Sequence, residues 1–128
     1  MAYDITAAVS RLAGTKCAVF ADAHSEAGIA LKEIAKILGP HFLKDERPGE
    51  QVIIWRTSQF KAELSLNLDD DVLDFTFKDK GATAGFSAEG YNARTLFQDI
   101  RHNITQYRPT KKVPTDVQMV RDKFEHLQ

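Results

Sequence analysis

The sequence predicts an α+β domain: a three- or four-stranded antiparallel sheet packed on one face by helices, with a C-terminal helix after a basic linker. Three observations predict it. Between Gln51 and Lys80, β-branched and aromatic residues dominate, and apolar and polar positions alternate with a period of two. Before and after that stretch, apolar residues recur at helical spacing. The 128 residues, 43% hydrophobic and 27% charged, are enough for one globular domain to bury its own core without metals or disulfides.

Taken in order, DITAAVSRLAG reads as a short helix that Asp4 can cap, with Ile5, Ala8, Val9 and Leu12 as a stripe and Gly14 after the last turn. Ala27, Ala30, Leu31, Ile34, Ile37 and Leu38 form a second helical stripe, stopped by Gly39-Pro40. Its start is open. Thr15 could cap one continuous helix, favoured by the many alanines, or Cys17–Ala23 could be a buried strand with a new cap near Ser25. His41–Glu50 is charged and reads as a loop turning at Pro48-Gly49.

Within the sheet, Ile53, Trp55, Phe60, Ala62, Leu64, Leu66, Leu68, Leu73, Phe75 and Phe77 fall on one face. A Ser58-Gln59 turn sets Arg56 opposite Lys61. A tight Asp70-Asp71 turn pairs Leu66 with Phe75, Glu63 with Lys78 and Lys61 with Lys80, although Asp-Asp is a poor tight-turn dipeptide. The polar face then carries Arg56, Lys61 and Lys80 in one row, with Lys78 a step along and Val52 and Ile54 adding apolar surface. A fourth strand would come from Cys17–Ala23 or Gly81–Ser87. Tyr91–Tyr107 reads as a helix with Leu96, Phe97, Ile100, Ile104 and Tyr107 on one face, and RPTKKVP as a Pro-bounded basic linker. In the last helix, Thr115 or Asp116 caps a stripe of Val117, Val120, Phe124 and Leu127. Residues 1–113 form the core domain, and 114–128 a helix suited to docking on a partner subunit.

Net charge is −1, so any attraction for a polyanion must arise from local asymmetry. That asymmetry is present: residues 101–113 hold Arg101, Arg108, Lys111 and Lys112 and no acid, while Asp69, Asp70, Asp71 and Asp74 cluster elsewhere. Arg56, Lys61, Lys78 and Lys80 on the open sheet face, with Arg101, Arg108, Lys111 and Lys112, are the candidate phosphate contacts, and Tyr107 the candidate platform for a base. Competing chemistry is thin. Adjacent aspartates in a tight turn point apart and lack the calcium-loop pattern. His24, His41, His102 and His126 stand singly, and Cys17 has neither a His nor a second Cys nearby. GATAG matches no nucleotide-binding loop, and no nucleophile, base and orienting group assemble from these spacings. No cofactor, metal or enzymatic activity is therefore expected. A single cysteine and the lack of a long apolar run lead to the expectation of a cytoplasmic protein with no membrane partner.

The order of elements, helices, then a meander with a cationic open face, then Tyr91–Tyr107 and a basic linker to a last helix, resembles the small non-OB single-stranded-DNA binders. These include the whirly and PC4-like group and the phage-encoded single-stranded-DNA-binding RNA polymerase cofactors of the Drc type. The resemblance is architectural and transfers no residue role. It implies an accessory factor of transcription or replication, phage-encoded, whose partners are single-stranded DNA or RNA, RNA polymerase or another protein, and further copies of itself. The alternative expectation is a protein–protein interaction module or inhibitor acting through the C-terminal amphipathic helix.

Overall fold

The computed structural model describes residues 5–12, 15, 17–81, 84–109, 112 and 114–127. The chain is α+β, with an antiparallel meander of five strands, one more than the largest number expected. A short helix α1 (Thr6–Ser10) and a 3-10 turn (Ala18–Ala21) precede α2 (Glu26–Leu38). Then follow β1 (Leu43–Arg47), β2 (Glu50–Arg56), β3 (Phe60–Asn67), β4 (Val72–Asp79) and β5 (Gly85–Gly90), and finally α3 (Ala93–Ile104) and α4 (Thr115–Glu125).

Cys17–Ala23 is neither strand nor the start of a long helix. The Ser25 hydroxyl accepts from the Gly28 amide at 2.9 Å and begins α2 afresh. Asp4 and Gly14, expected to bound the first helix, lie outside the described residues. The last helix is preceded by Pro114 at the cap, so Thr115 is its first residue. Gly39, with φ of 100°, ends α2, and its carbonyl accepts from Trp55 Nε1 at 2.9 Å, which ties the helix end to β2.

The extra strand is β1. LKDER alternates nothing apolar, yet Gly49 at φ 78° turns the chain back and the whole segment ladders onto β2, from Leu43 with Ile54 to Arg47 with Glu50. Its Lys44, Asp45 and Glu46 are exposed, as suits an edge strand that must not recruit another chain. The opposite edge is closed by α3. Asp99 accepts from the Glu89 amide at 2.9 Å and Asn103 donates to the Ser87 carbonyl at 2.6 Å, so side chains one helical turn apart satisfy the free edge of β5. An Asn92–Thr95 capping box starts α3, and Glu26 of α2 accepts from the Ala93 amide at 3.1 Å.

All the helices lie on one face of the sheet, over Trp55, Leu64, Phe75 and Phe77. The stripe of α4 does not wait for a partner. Val117 and Phe124 are fully buried, and the Phe124 ring sits 5.3 Å from Phe75 and 6.0 Å from both Phe77 and Phe86. The Pro-bounded linker is long enough for α4 to fold back, and the chain's own aromatic sheet offers the nearest apolar surface. Replacing Phe124 with Ala should therefore cost about 3–5 kcal/mol. The check is urea unfolding of the full chain, in which the midpoint falls with the slope unchanged; an unmoved midpoint would mean that α4 is not part of this core.

Candidate nucleic-acid interface

The face away from the helices is organised by register. Arg56 pairs with Lys61 as expected. The next hairpin differs from expectation by two residues: Leu66 faces Leu73 and Lys61 faces Lys78. The cause is local. Instead of a two-residue Asp70-Asp71 turn, Asn67 Oδ1 accepts from the amides of Asp69 at 2.9 Å and Asp70 at 3.2 Å, and only Asp71 takes a positive φ, 53°. A shift of two keeps the strand side chains on their expected faces, but Leu68, expected on the apolar face, falls in the turn beyond β3 and is exposed. The cationic row is thus Arg56, Lys61 and Lys78 on three adjacent strands, ended by Gly85 on β5. Lys80, not Lys78, is the residue a step along.

Lys80 also has a structural task, since its Nζ donates to the Thr57 carbonyl at 2.6 Å and its amide to Gln59 at 3.0 Å, which joins the end of β4 to the β2–β3 turn. Lys61 lies 3.6 Å from Glu63 and is partly neutralised. Arg56, Lys78 and Lys80 make no ion pair among the described residues.

Val52 and Ile54 do not supply apolar surface beside this row; both are buried. Arg47, which the sequence placed in a loop, lies on the same face and reaches diagonally across β2 to Glu63 on β3, with contacts of 2.9 and 3.3 Å. This two-pronged bond passes over the row of Val52, and Arg47 also holds Asp45 at 3.3 Å. The guanidinium keeps the Glu63 carboxyl below the usual range. Toward the other end of the face, Asp74 and Glu89 are cross-strand neighbours. Burial first, then the carboxylates of Glu89 and Glu50, pushes the Asp74 carboxyl above its usual range.

Tyr107 is not a surface platform. It is 2% exposed and packs on Phe77, and its hydroxyl donates to Asp79 Oδ2 at 2.9 Å inside the core. Burial, with the Asp79 carboxylate as acceptor, raises the hydroxyl pKa, while the Arg121 guanidinium lies 5.8 Å from the ring centre. The bond nonetheless shapes the candidate site. It holds the residue preceding Arg108 at the end of β4 where Lys78 and Lys80 stand, so the basic linker departs from the cationic end of the sheet. Arg108 is exposed, its guanidinium donating only to the Thr105 and Tyr107 carbonyls among the described residues, and Lys112 is exposed. Lys111 lies outside the described residues. Arg101 is not brought to this face: it sits in the helical layer, donates to the Leu127 carbonyl and lines a cleft of about 520 Å³ between α3 and the end of α4.

Among the described residues, no three His, Cys, Asp or Glu side chains converge as a metal site, and no helix is long and apolar enough to cross a membrane. The chain matches no protein family, no curated protein and no solved structure.

Asp79 is 1% exposed and its Oδ1 has no partner among the described residues, so Tyr107 is what satisfies this carboxylate there. Tyr107→Phe should cost about 1–3 kcal/mol near neutral pH. The sign with pH follows from the raised pKa. The stabilisation from this hydroxyl is complete below the unfolded tyrosine value of about 10 and is lost as pH rises through the higher folded value. Urea unfolding at neutral and strongly alkaline pH should show wild type losing more stability than Tyr107→Phe across that range; parallel losses would contradict this assignment.

Proposed function

We propose that this chain binds single-stranded nucleic acid through the cationic end of its open sheet face, as an accessory factor in transcription or replication. The observation that carries the reading is the row Arg56, Lys61 and Lys78, with Lys80 beside it and Arg108 and Lys112 following the Tyr107–Asp79 tie. Strands lie roughly 4.8 Å apart, so the row spans about 10 Å, within which like charges repel unless anions lie among them. A flexible polyanion can bring successive phosphates to so small a patch, and each contact releases counterions. With Tyr107 in the core and no aromatic in the row, phosphates rather than base stacking supply the attraction. Binding is then indifferent to base sequence and steep in salt.

The reading through α4 as a partner-docking helix loses its surface, because Val117, Phe124 and Leu127 are buried in the chain's own core and Met119 is the large apolar side chain left exposed on that helix.

The test is the mobility of labelled single- and double-stranded oligonucleotides over a range of salt. Arg56→Glu combined with Lys78→Glu should abolish the shift at moderate salt while leaving thermal unfolding unchanged. The milder Arg56→Gln and Lys78→Gln pair should flatten the logarithmic salt dependence by about 1.4, roughly 0.7 for each lost phosphate contact on a single strand. Unaltered affinity in both double variants rejects the reading.

A further inference from the structure

The cationic row occupies one end of the sheet; the opposite end is its chemical complement. There the β1–β2 and β3–β4 turns lie side by side, the Leu68 amide donating to the Gly49 carbonyl at 2.9 Å, and the pairing of Leu73 with Gly90 sets Tyr91 next to Val72. Leu68 is 50% and Tyr91 75% exposed, two of the four large apolar side chains that stand in solvent among the described residues. Around them are Asp69, Asp70, Asp71 and Glu89, none of which makes an ion pair among the described residues. Two shallow clefts, of about 370 Å³ beside Leu68 and about 260 Å³ beside Tyr91, flank the aspartate turn. Exposed apolar groups inside a charged rim are the pattern of an interaction surface.

We propose that this acidic end docks the cationic end of a second copy of the chain, head to tail. Three points select this occupant. The two charge sets lie on one sheet, Asp71 roughly 23 Å from Lys78 over seven residue steps and Glu89, opposite Asp74, roughly 13 Å away over four, both beyond the screening length of about 10 Å at moderate salt. They can therefore neutralise each other only between molecules. A net charge of −1 leaves no long-range repulsion to hold copies apart. The apolar groups fit the same guest, because lysine and arginine stems cover apolar surface and a guanidinium stacks on an exposed tyrosine ring. Made end to end, each contact leaves one cationic and one acidic end free, so copies add in a row, whereas a reciprocal two-fold pair would stop at a dimer. It also occupies the cations that nucleic acid would take, so the two associations compete.

The experiment measures mass in nucleic-acid-free solution and does not depend on the nucleic-acid reading. Sedimentation of the full chain at low salt should show weight-average mass rising with concentration beyond that of a dimer, and returning to the monomer at high salt. Asp69→Lys with Asp70→Lys makes both ends basic, and Arg56→Glu with Lys78→Glu makes both ends acidic. Each should remain monomeric alone at low salt, with an unchanged circular dichroism spectrum, and an equal mixture of the two should regain the larger species. A wild-type chain that is monomeric at low salt, a plateau at the mass of a dimer, or a mixture that stays monomeric overturns the proposal. Wild-type behaviour in salt alone decides the matter should either variant fail to fold.

Discussion

One sheet face sealed by helices is the constraint from which the rest follows. Phe75, Phe77 and Phe86 stand on that face, and Phe124 of α4 enters between them at ring distances of 5.3 to 6.0 Å. With side chains alternating along every strand, burying one set places the other set together on the opposite face, whatever its chemistry. Asp79 apart, the charges of β2, β3 and β4 are therefore concentrated on a single surface. The dense aromatic packing of the core also explains why α4 belongs to it. A ring inserted among three others takes its apolar surface out of water, and its removal leaves a cavity that the rigid sheet cannot close.

The one buried carboxylate among the described residues is held by geometry. Asp79 continues the buried face of β4 past Phe77, at the point where an apolar residue would merely extend the core. Its bond to Tyr107 couples the end of α3 to the end of β4 across a sequence separation of 28 residues. A buried carboxylate with one oxygen unpartnered among the described residues is costly, and a cost of that kind is tolerated where a specific arrangement matters. Here the arrangement is the exit of the basic linker beside Lys78 and Lys80.

Much of this was legible in the sequence, and the failures have local causes. The parity of the strands was readable because alternation is a property of each strand alone, so the faces survive even though the β3–β4 register moved by two residues. The register itself depended on whether Asn67 would organise the turn through its side chain, which alternation cannot reveal. β1 was missed because LKDER has no apolar period to detect: its strand character comes from pairing with β2 and from the Pro48-Gly49 turn. Arg47 went with it, and the even spacing of two charged segments about that turn was the available signal. For Tyr107 two cues conflicted. Its place on the apolar stripe read for Tyr91–Tyr107 was a core signal, although α3 ends at Ile104, its position beside the linker a surface signal, and the hidden partner Asp79 decided between them. Arg101 carried the right charge but the wrong layer, since helical periodicity gives the face of a helix and not the side of the sheet on which the helix lies.

The sorting of charge along the sheet is what distinguishes this surface from an ordinary solvated face. A random mixture of lysine and glutamate across strands lets each charge find an opposite neighbour, as Arg47 finds Glu63 and Asp45. Outside that bridge the pairings run the other way: Arg56 with Lys61, Lys61 with Lys78, and Asp74 with Glu89. Cross-strand pairs of like charge destabilise a sheet by fractions of a kcal/mol each, and the fold gains nothing from them. Within the molecule Glu63, 3.6 Å from Lys61, relieves part of the repulsion, and ions of opposite sign from outside would relieve the rest. In the associations proposed above, a polyanion would satisfy the cationic end alone, and another copy of the chain the cationic end of one molecule and the acidic end of the next. Which of the two would prevail depends on ionic strength and concentration, because both attractions are electrostatic and draw on the same few side chains.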